Sequence, residues 1–119
     1  MASSHTLKTY ITAATSNAGS ATTTGTFQTH TTAYGGLITT KVTNGGTGPT
    51  VGATVNVYTS GDGTNFKLLA SALAGVTSSI AYEFAFILPA GAMYSRVDVT
   101  GNTVQAVTCE AFVQELTTI

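Results

Sequence analysis

Apolar and polar positions alternate with a period of two along much of this chain, which predicts strands, because successive side chains of an extended segment face opposite sides. The pattern is clearest in three stretches. Val51 to Thr59 sets Val51, Ala53, Val55, Val57 and Thr59 against Gly52, Thr54, Asn56 and Tyr58, and reads as a half-buried strand. Ile80 to Leu88 sets Ile80, Tyr82, Phe84, Phe86 and Leu88 against Ala81, Glu83, Ala85 and Ile87, with the bulky face assigned to the core. Leu37 to Thr43 reads as a central strand, punctuated by Gly35-Gly36 before it and the run Asn44 to Pro49 after it. Leu7 to Thr12 alternates more briefly, and the Thr-rich piece Ser20 to Phe27 is extended by β-branching with little to bury except Phe27.

The C-terminal stretch Ala92 to Val113 carries the heaviest expectation. Gly101-Asn102 between two alternating segments predicts a two-residue hairpin, since both residues tolerate positive φ cheaply. That turn sets Val99 opposite Val104 and Val97 opposite Ala106. Continued outward, it sends Val107, Cys109, Ala111 and Val113 to one face and Val104, Ala106, Thr108, Glu110 and Phe112 to the other. Both faces carry apolar residues, and burying an unpaired Glu110 costs several kcal/mol, so Glu110 belongs at a rim or beside a cation. The expectation drawn is that Val107, Cys109, Ala111 and Val113 face outward, with Tyr94 alongside, as a contact between subunits of a homotrimer.

Elsewhere the chain reads as turns. Ser60 to Asn65 closes a hairpin onto Phe66 to Leu69, and Pro89-Ala90-Gly91 ends the apolar strand because proline cannot donate to a ladder. Met1 to His5 is a loose end. LASALAG, Leu69 to Gly75, is the one helical scrap, too short to stand without tertiary packing, and is assigned to loop or a single turn. About seven strands at this spacing predict an all-β, single-domain antiparallel β-sandwich, immunoglobulin-like or jelly-roll-like. Residues 35–119 form its core, while residues 1–34 supply edge strands or an arm, with the edge strand ahead.

Composition narrows the chemistry. Charged residues make up 8% of the chain and the net charge is −1, far below the usual ~25% charged, while 25 Thr and 9 Ser supply a hydroxyl-rich skin. Such a surface is expected to be covered in part by partners. Lys8, Lys41, Lys67 and Arg96 are scattered, which argues against nucleic acid. Cys109 is the single cysteine and reads as a small buried hydrophobe. MASSHTLKTYITAATSN has no continuous apolar core, so a soluble chain made in a cytoplasm is expected, without membrane association. No metal or cofactor is expected: Gly46 and Gly48 lack the rest of a phosphate-binding pattern, and Asp62 with Asn65 reads as turn chemistry and not as calcium ligands. His30 sits in the polar run Gln28 to Thr32 and reads as solvated. Asp62, Glu83, Asp98, Glu110 and Glu115 read as solvated carboxylates with an ion pair from Arg96 to a neighbour, and the chain is expected to be no enzyme.

The succession LITTKVTNGGTGPTV, VNVYTSGDGTNFKLL and ILPAGAMYSRVDVTGNTVQAVTCEAFVQE resembles small virion proteins of tailed bacteriophages, particularly head decoration or cement proteins with a β-sandwich fold. The resemblance covers about Gly35 to Glu115. It implies a homotrimer on the capsid surface, bound to the major capsid protein and clamping adjacent subunits. Two other readings share the fold: a tail or fibre component, and a carbohydrate-binding or adhesin-type module. The last would use Tyr58, Tyr82 and Tyr94 as its platform, without any Trp.

Overall fold

The computed structural model describes residues 4–118, and among them there are nine strands and no helix. They are β1 (Ser4–Asn17), β2 (Thr22–Thr24), β3 (Gln28–Thr29), β4 (Gly36–Asn44), β5 (Thr54–Ser60), β6 (Lys67–Leu73), β7 (Ala81–Leu88), β8 (Tyr94–Thr100) and β9 (Val107–Thr118). One antiparallel sheet has the order β1-β9-β4-β7; the other runs β2-β8-β5-β6, with β3 also paired to β8. Their inner faces enclose one core, as expected for a β-sandwich. The first three positions of the loose end expected over Met1 to His5 lie outside the described residues, whereas Ser4 and His5 already pair with β9.

The alternation predicted for β4, β5 and β7 holds within the strands, but Val51 and Ile80, assigned to the same inward faces, precede β5 and β7 and are exposed. Ile38 and Val42 of β4, Val55 and Val57 of β5, and Val97 and Val99 of β8 have no exposed surface, and Tyr82, Phe84 and Phe86 of β7 pack partly buried against them. Each fully buried Val or Ile stabilises by about 1.5–3 kcal/mol, so this layer dominates the folding energy. The Ser60 to Asn65 hairpin also forms and joins β5 to β6, but β6 extends through the segment read as helical scrap. Pairing with β5 supplies its backbone partners, and Ala70 and Ala72 face inward opposite Val57 and Val55. The N-terminal segment is an edge strand: β1 closes the first sheet beside β9.

The expected hairpin at Gly101-Asn102 does not form. β8 pairs with β5, β2 and β3, and β9 pairs with β1 and β4, so residues 101–106 carry the chain from one sheet to the other. Gly101 does take a positive φ of 90°, but Asn102 is fully buried and acts as a bracket. Its Nδ2 donates to the carbonyls of Asn17 (3.1 Å) and Gln105 (2.9 Å), and its Oδ1 accepts from Asn17 Nδ2 at 2.5 Å. A buried amide with every polar atom partnered holds a crossover more firmly than a solvated turn could.

Losing that hairpin reverses the register argument for β9. Val107, Cys109, Ala111 and Val113 are 0–2% exposed and form the inner row of the first sheet, opposite Val42, Thr40 and Ile38 of β4. They are core and not a subunit contact. Glu110 points outward, in register with Lys41, as its charge required. The mixed character of β9 has a simple cause: the residues on its outer side, Thr108, Glu110, Phe112 and Gln114, include one aromatic.

Candidate binding surfaces

The outer faces of the two sheets differ in what covers them. On the first sheet, Leu7, Gln114, Leu37 and Ile87 form a row across all four strands, each in register with the next. Leu7 is 65% exposed, Leu37 44% and Ile87 78%. Phe112, half-buried, stands in the adjacent row between Thr9 and Thr39. The next charged row places Lys41 between Glu110 and Glu83, along a shallow depression of about 140 Å³ that Thr39, Thr40 and Phe112 also line. The face is therefore apolar toward one end and carries one cation between two carboxylates in the middle.

On the second sheet the chain covers the outer face over β8 and β5, while Leu68 and Leu73 of β6 remain 57% and 66% exposed. Tyr58 and Arg96 are cross-strand neighbours, and the Arg96 guanidinium lies 4.8 Å from the Tyr58 ring centre and 4.9 Å from that of Phe66. Phe27 packs against Phe66 and edge-on to Tyr94, each at 6.0 Å. Beneath them Asp98 receives Arg96 through Nε (3.0 Å) and Nη2 (3.2 Å), the ion pair expected from the sequence. Such contacts add about 0.5–2 kcal/mol each and fix the loops that bear Phe27 and Phe66. Gly25 lets the Phe27 loop approach, since a Cβ there would stand 2.3 Å from the Val97 carbonyl oxygen. Tyr58 and Tyr94 thus share one surface, whereas Tyr82 belongs to the core of the other sheet.

Beside this cluster the Ser60 to Asn65 turn borders an open cleft of about 530 Å³, lined by Thr59, Ser60, Asp62, Asn65, Lys67 and the Pro89 to Ala92 turn. Asp62 accepts from the Asn65 and Thr64 backbone N–H groups at 2.8 and 2.9 Å, from Asn65 Nδ2 at 2.8 Å and from Ser60 Oγ at 2.9 Å. These donors hold its carboxyl well below the usual range, the Asn65 amide foremost. All of this is turn chemistry. Among the described residues no three His, Cys, Asp or Glu are grouped to hold a metal ion. Cys109 is buried as expected, and burial pushes its thiol pKa up.

The polar cluster that sequence reasoning missed is internal. His30, read as solvated, is 3% exposed; its Nδ1 lies 2.5 Å from Glu115 Oε2 and its Nε2 2.5 Å from Ser95 Oγ. Tyr10 hydrogen-bonds Ser95, and Lys8 Nζ lies 3.2 Å from Glu115 Oε1. Ser95, His30 and Glu115 have the connectivity of a nucleophile, base and acid, but Ser95 has no exposed surface and none of the three lines either cleft. A nucleophile that no substrate can touch does no chemistry, so the cluster is a structural network. Its one sequence signal was Glu115, which continues the inward row Val107, Cys109, Ala111, Val113 and so had to be paired inside.

No family model matches the sequence, and no curated protein matches it. Solved structures do share the fold. The exported protein XepA of PBSX superposes with a TM-score of 0.66 at 7% identity, over 96% of this chain and 38% of XepA. A chain of the infectious bursal disease virus particle gives 0.65 at 13% identity, over 97% of this chain and 31% of the viral one. The SPBc2 prophage-derived protein YomS gives 0.51 at 18% identity, with 96% of both chains covered. The chain therefore spans well under half of the first two and nearly all of YomS. At these identities the likeness is one of fold, an all-β module found in phage-derived and viral proteins.

Proposed function

We propose that this chain is a non-catalytic structural protein of a phage virion, most concretely a head decoration protein that seats the outer face of its first sheet on the capsid. The observation that carries this reading is the row Leu7, Leu37 and Ile87, which lies open and in register across a four-stranded sheet, whereas the exposed Leu68, Leu69 and Leu73 of the second sheet sit on its edge strand β6. Covering what remains exposed of these three side chains contributes roughly 3–5 kcal/mol before association costs, a useful anchor for a protein with so few charges to steer it. The occurrence of the same fold in a viral particle and in a prophage-derived protein supports the setting. The homotrimer belongs to this proposal without the β9 contact first assigned to it, because those residues are core. Its subunit contacts would have to come from the sheet edges or outer faces.

Immunogold labelling of purified particles of the encoding phage, with antibody to this chain, tests the reading. Label on the heads is expected. Label confined to tails would move the protein to the tail, and absence from particles that are otherwise complete would overturn a virion role. A sugar-binding role ranks second, since Tyr82 is turned into the sandwich and one face of Tyr58 is under Arg96.

A further inference from the structure

The docking reading leaves the buried network at one end of the sandwich without a use. Its five side chains come from four places: Lys8 and Tyr10 from β1, His30 from the segment after β3, Ser95 from β8 and Glu115 from β9. Counting protons gives a single complete arrangement. Tyr10 donates its O–H to Ser95, whose hydroxyl donates to His30 Nε2. His30 Nδ1–H donates to one oxygen of Glu115, and Lys8 donates to the other and to the Thr29 carbonyl at 2.5 Å. Burial pushes the Tyr10 pKa up, so Tyr10 keeps its proton, and Ser95 Oγ is the acceptor in this cluster that can take it. The ring of His30 is therefore neutral, and Lys8 and Glu115 cancel.

A second proton on His30 breaks this arrangement in two ways. Nε2 becomes a donor to Ser95 Oγ, and the two hydroxyl protons of Ser95 and Tyr10 are left with only each other's oxygen to share, so one of them has no acceptor in the cluster at a site with no exposed surface. The cluster also gains a net positive charge beside Lys8. The titratable and charged groups around the ring are Glu115 of β9 and Lys8 and Tyr10 of β1, while β8 offers only the neutral Ser95. Burial holds the His30 pKa below its ordinary value of 6.5 and Lys8 pushes the same way, against the opposing pull of Glu115.

We propose that this network is an acid-sensitive latch: with His30 neutral it clamps the Gln28 to Tyr34 segment against β1, β8 and β9, and uptake of a proton by His30 releases that segment from the edge of β8. The segment's other ties are the pairing of Gln28 and Thr29 with Ser95 and Tyr94 of β8, Gln28 Nε2 to the Thr9 carbonyl, the His30 amide to the Met93 carbonyl, and the Tyr34 amide to the Leu116 carbonyl. The sign follows from linkage. A released His30 takes up its proton near pH 6.5 and a clamped one only at lower pH, so the latch is at full strength above about 6.5 and weakens as pH falls below that value. It levels off once the clamped ring has itself titrated.

Amide hydrogen exchange between pH 7.5 and 5, corrected for the intrinsic rate, tests this on the intact chain. The opening constants read at the His30 and Tyr34 amides are expected to rise as pH falls below 6.5, steepening toward tenfold per unit, while amides of β4 and β5 keep theirs. In H30Q, which has no titrating ring, the same two amides should show no such rise. Should H30Q fail to fold, K8Q supplies the second readout: without the neighbouring cation, the NMR titration midpoint of the His30 ring should move up from its wild-type position. A wild-type midpoint at or above 6.5, opening constants that stay flat from pH 7.5 to 5, or a rise that persists in H30Q would each overturn the latch.

Discussion

The two outer faces are built from the same alternating strands, yet one carries a bare apolar row across all four strands and the other is upholstered over β8 and β5, leaving leucines bare on its edge strand β6. The second sheet folds Phe27 and Phe66 back over Tyr58, Tyr94 and Arg96, and these groups partner one another. The first sheet presents Leu7, Leu37 and Ile87 with nothing of the chain above them. Alternation alone does not distinguish these cases, because it says which side a residue faces and not what lies there. What decides is whether a loop returns over the sheet, and the loops after β2 and β5 do so on one side only.

Three substitutions sharpen the contrast. The largest effect is expected away from both outer faces: V113D puts a carboxylate at a fully buried position of β9, between Ile38 of β4 and Lys8 of β1, whose ammonium is already committed to Glu115 and the Thr29 carbonyl, costing about 4 kcal/mol or more and leaving little folded protein by circular dichroism and NMR. A soluble, folded V113D would restore the outward reading of β9. On the upholstered face, F66A removes a ring that contacts both Arg96 and Phe27, and a urea midpoint lower by the equivalent of about 1–2 kcal/mol is expected with an unchanged slope. On the bare face, I87D should leave stability within about 0.5 kcal/mol, since the side chain already sits in solvent. A loss above 1 kcal/mol for I87D would mean that the chain covers this face after all.

The fold class was legible because period-2 patterning reports burial directly, as β4, β5 and β7 confirm. The failures share a cause. Gly101-Asn102 is an excellent hairpin signal locally, and it was overridden by Asn17, 85 residues earlier, which pairs with Asn102 inside the protein. His30 looked solvated among Thr and Gln because its partners, Ser95 and Glu115, are 65 and 85 residues away. β6 looked briefly helical because Leu and Ala suit helices, until pairing with β5 decided otherwise. Turn residues and polar runs carry only local information, whereas a buried polar side chain is explained by whatever it meets across the fold.

The account rests most heavily on the bare face being a docking surface, and cosedimentation tests that directly. Under the proposed virion role, phage particles lacking this chain would be mixed with the wild-type protein, with L37D/I87D, and with F27D, which alters the other face at a residue 48% exposed. The account predicts that wild type and F27D pellet with the particles, whereas the folded L37D/I87D protein stays in the supernatant. Equal pelleting by L37D/I87D, or loss of pelleting in F27D alone, would contradict it.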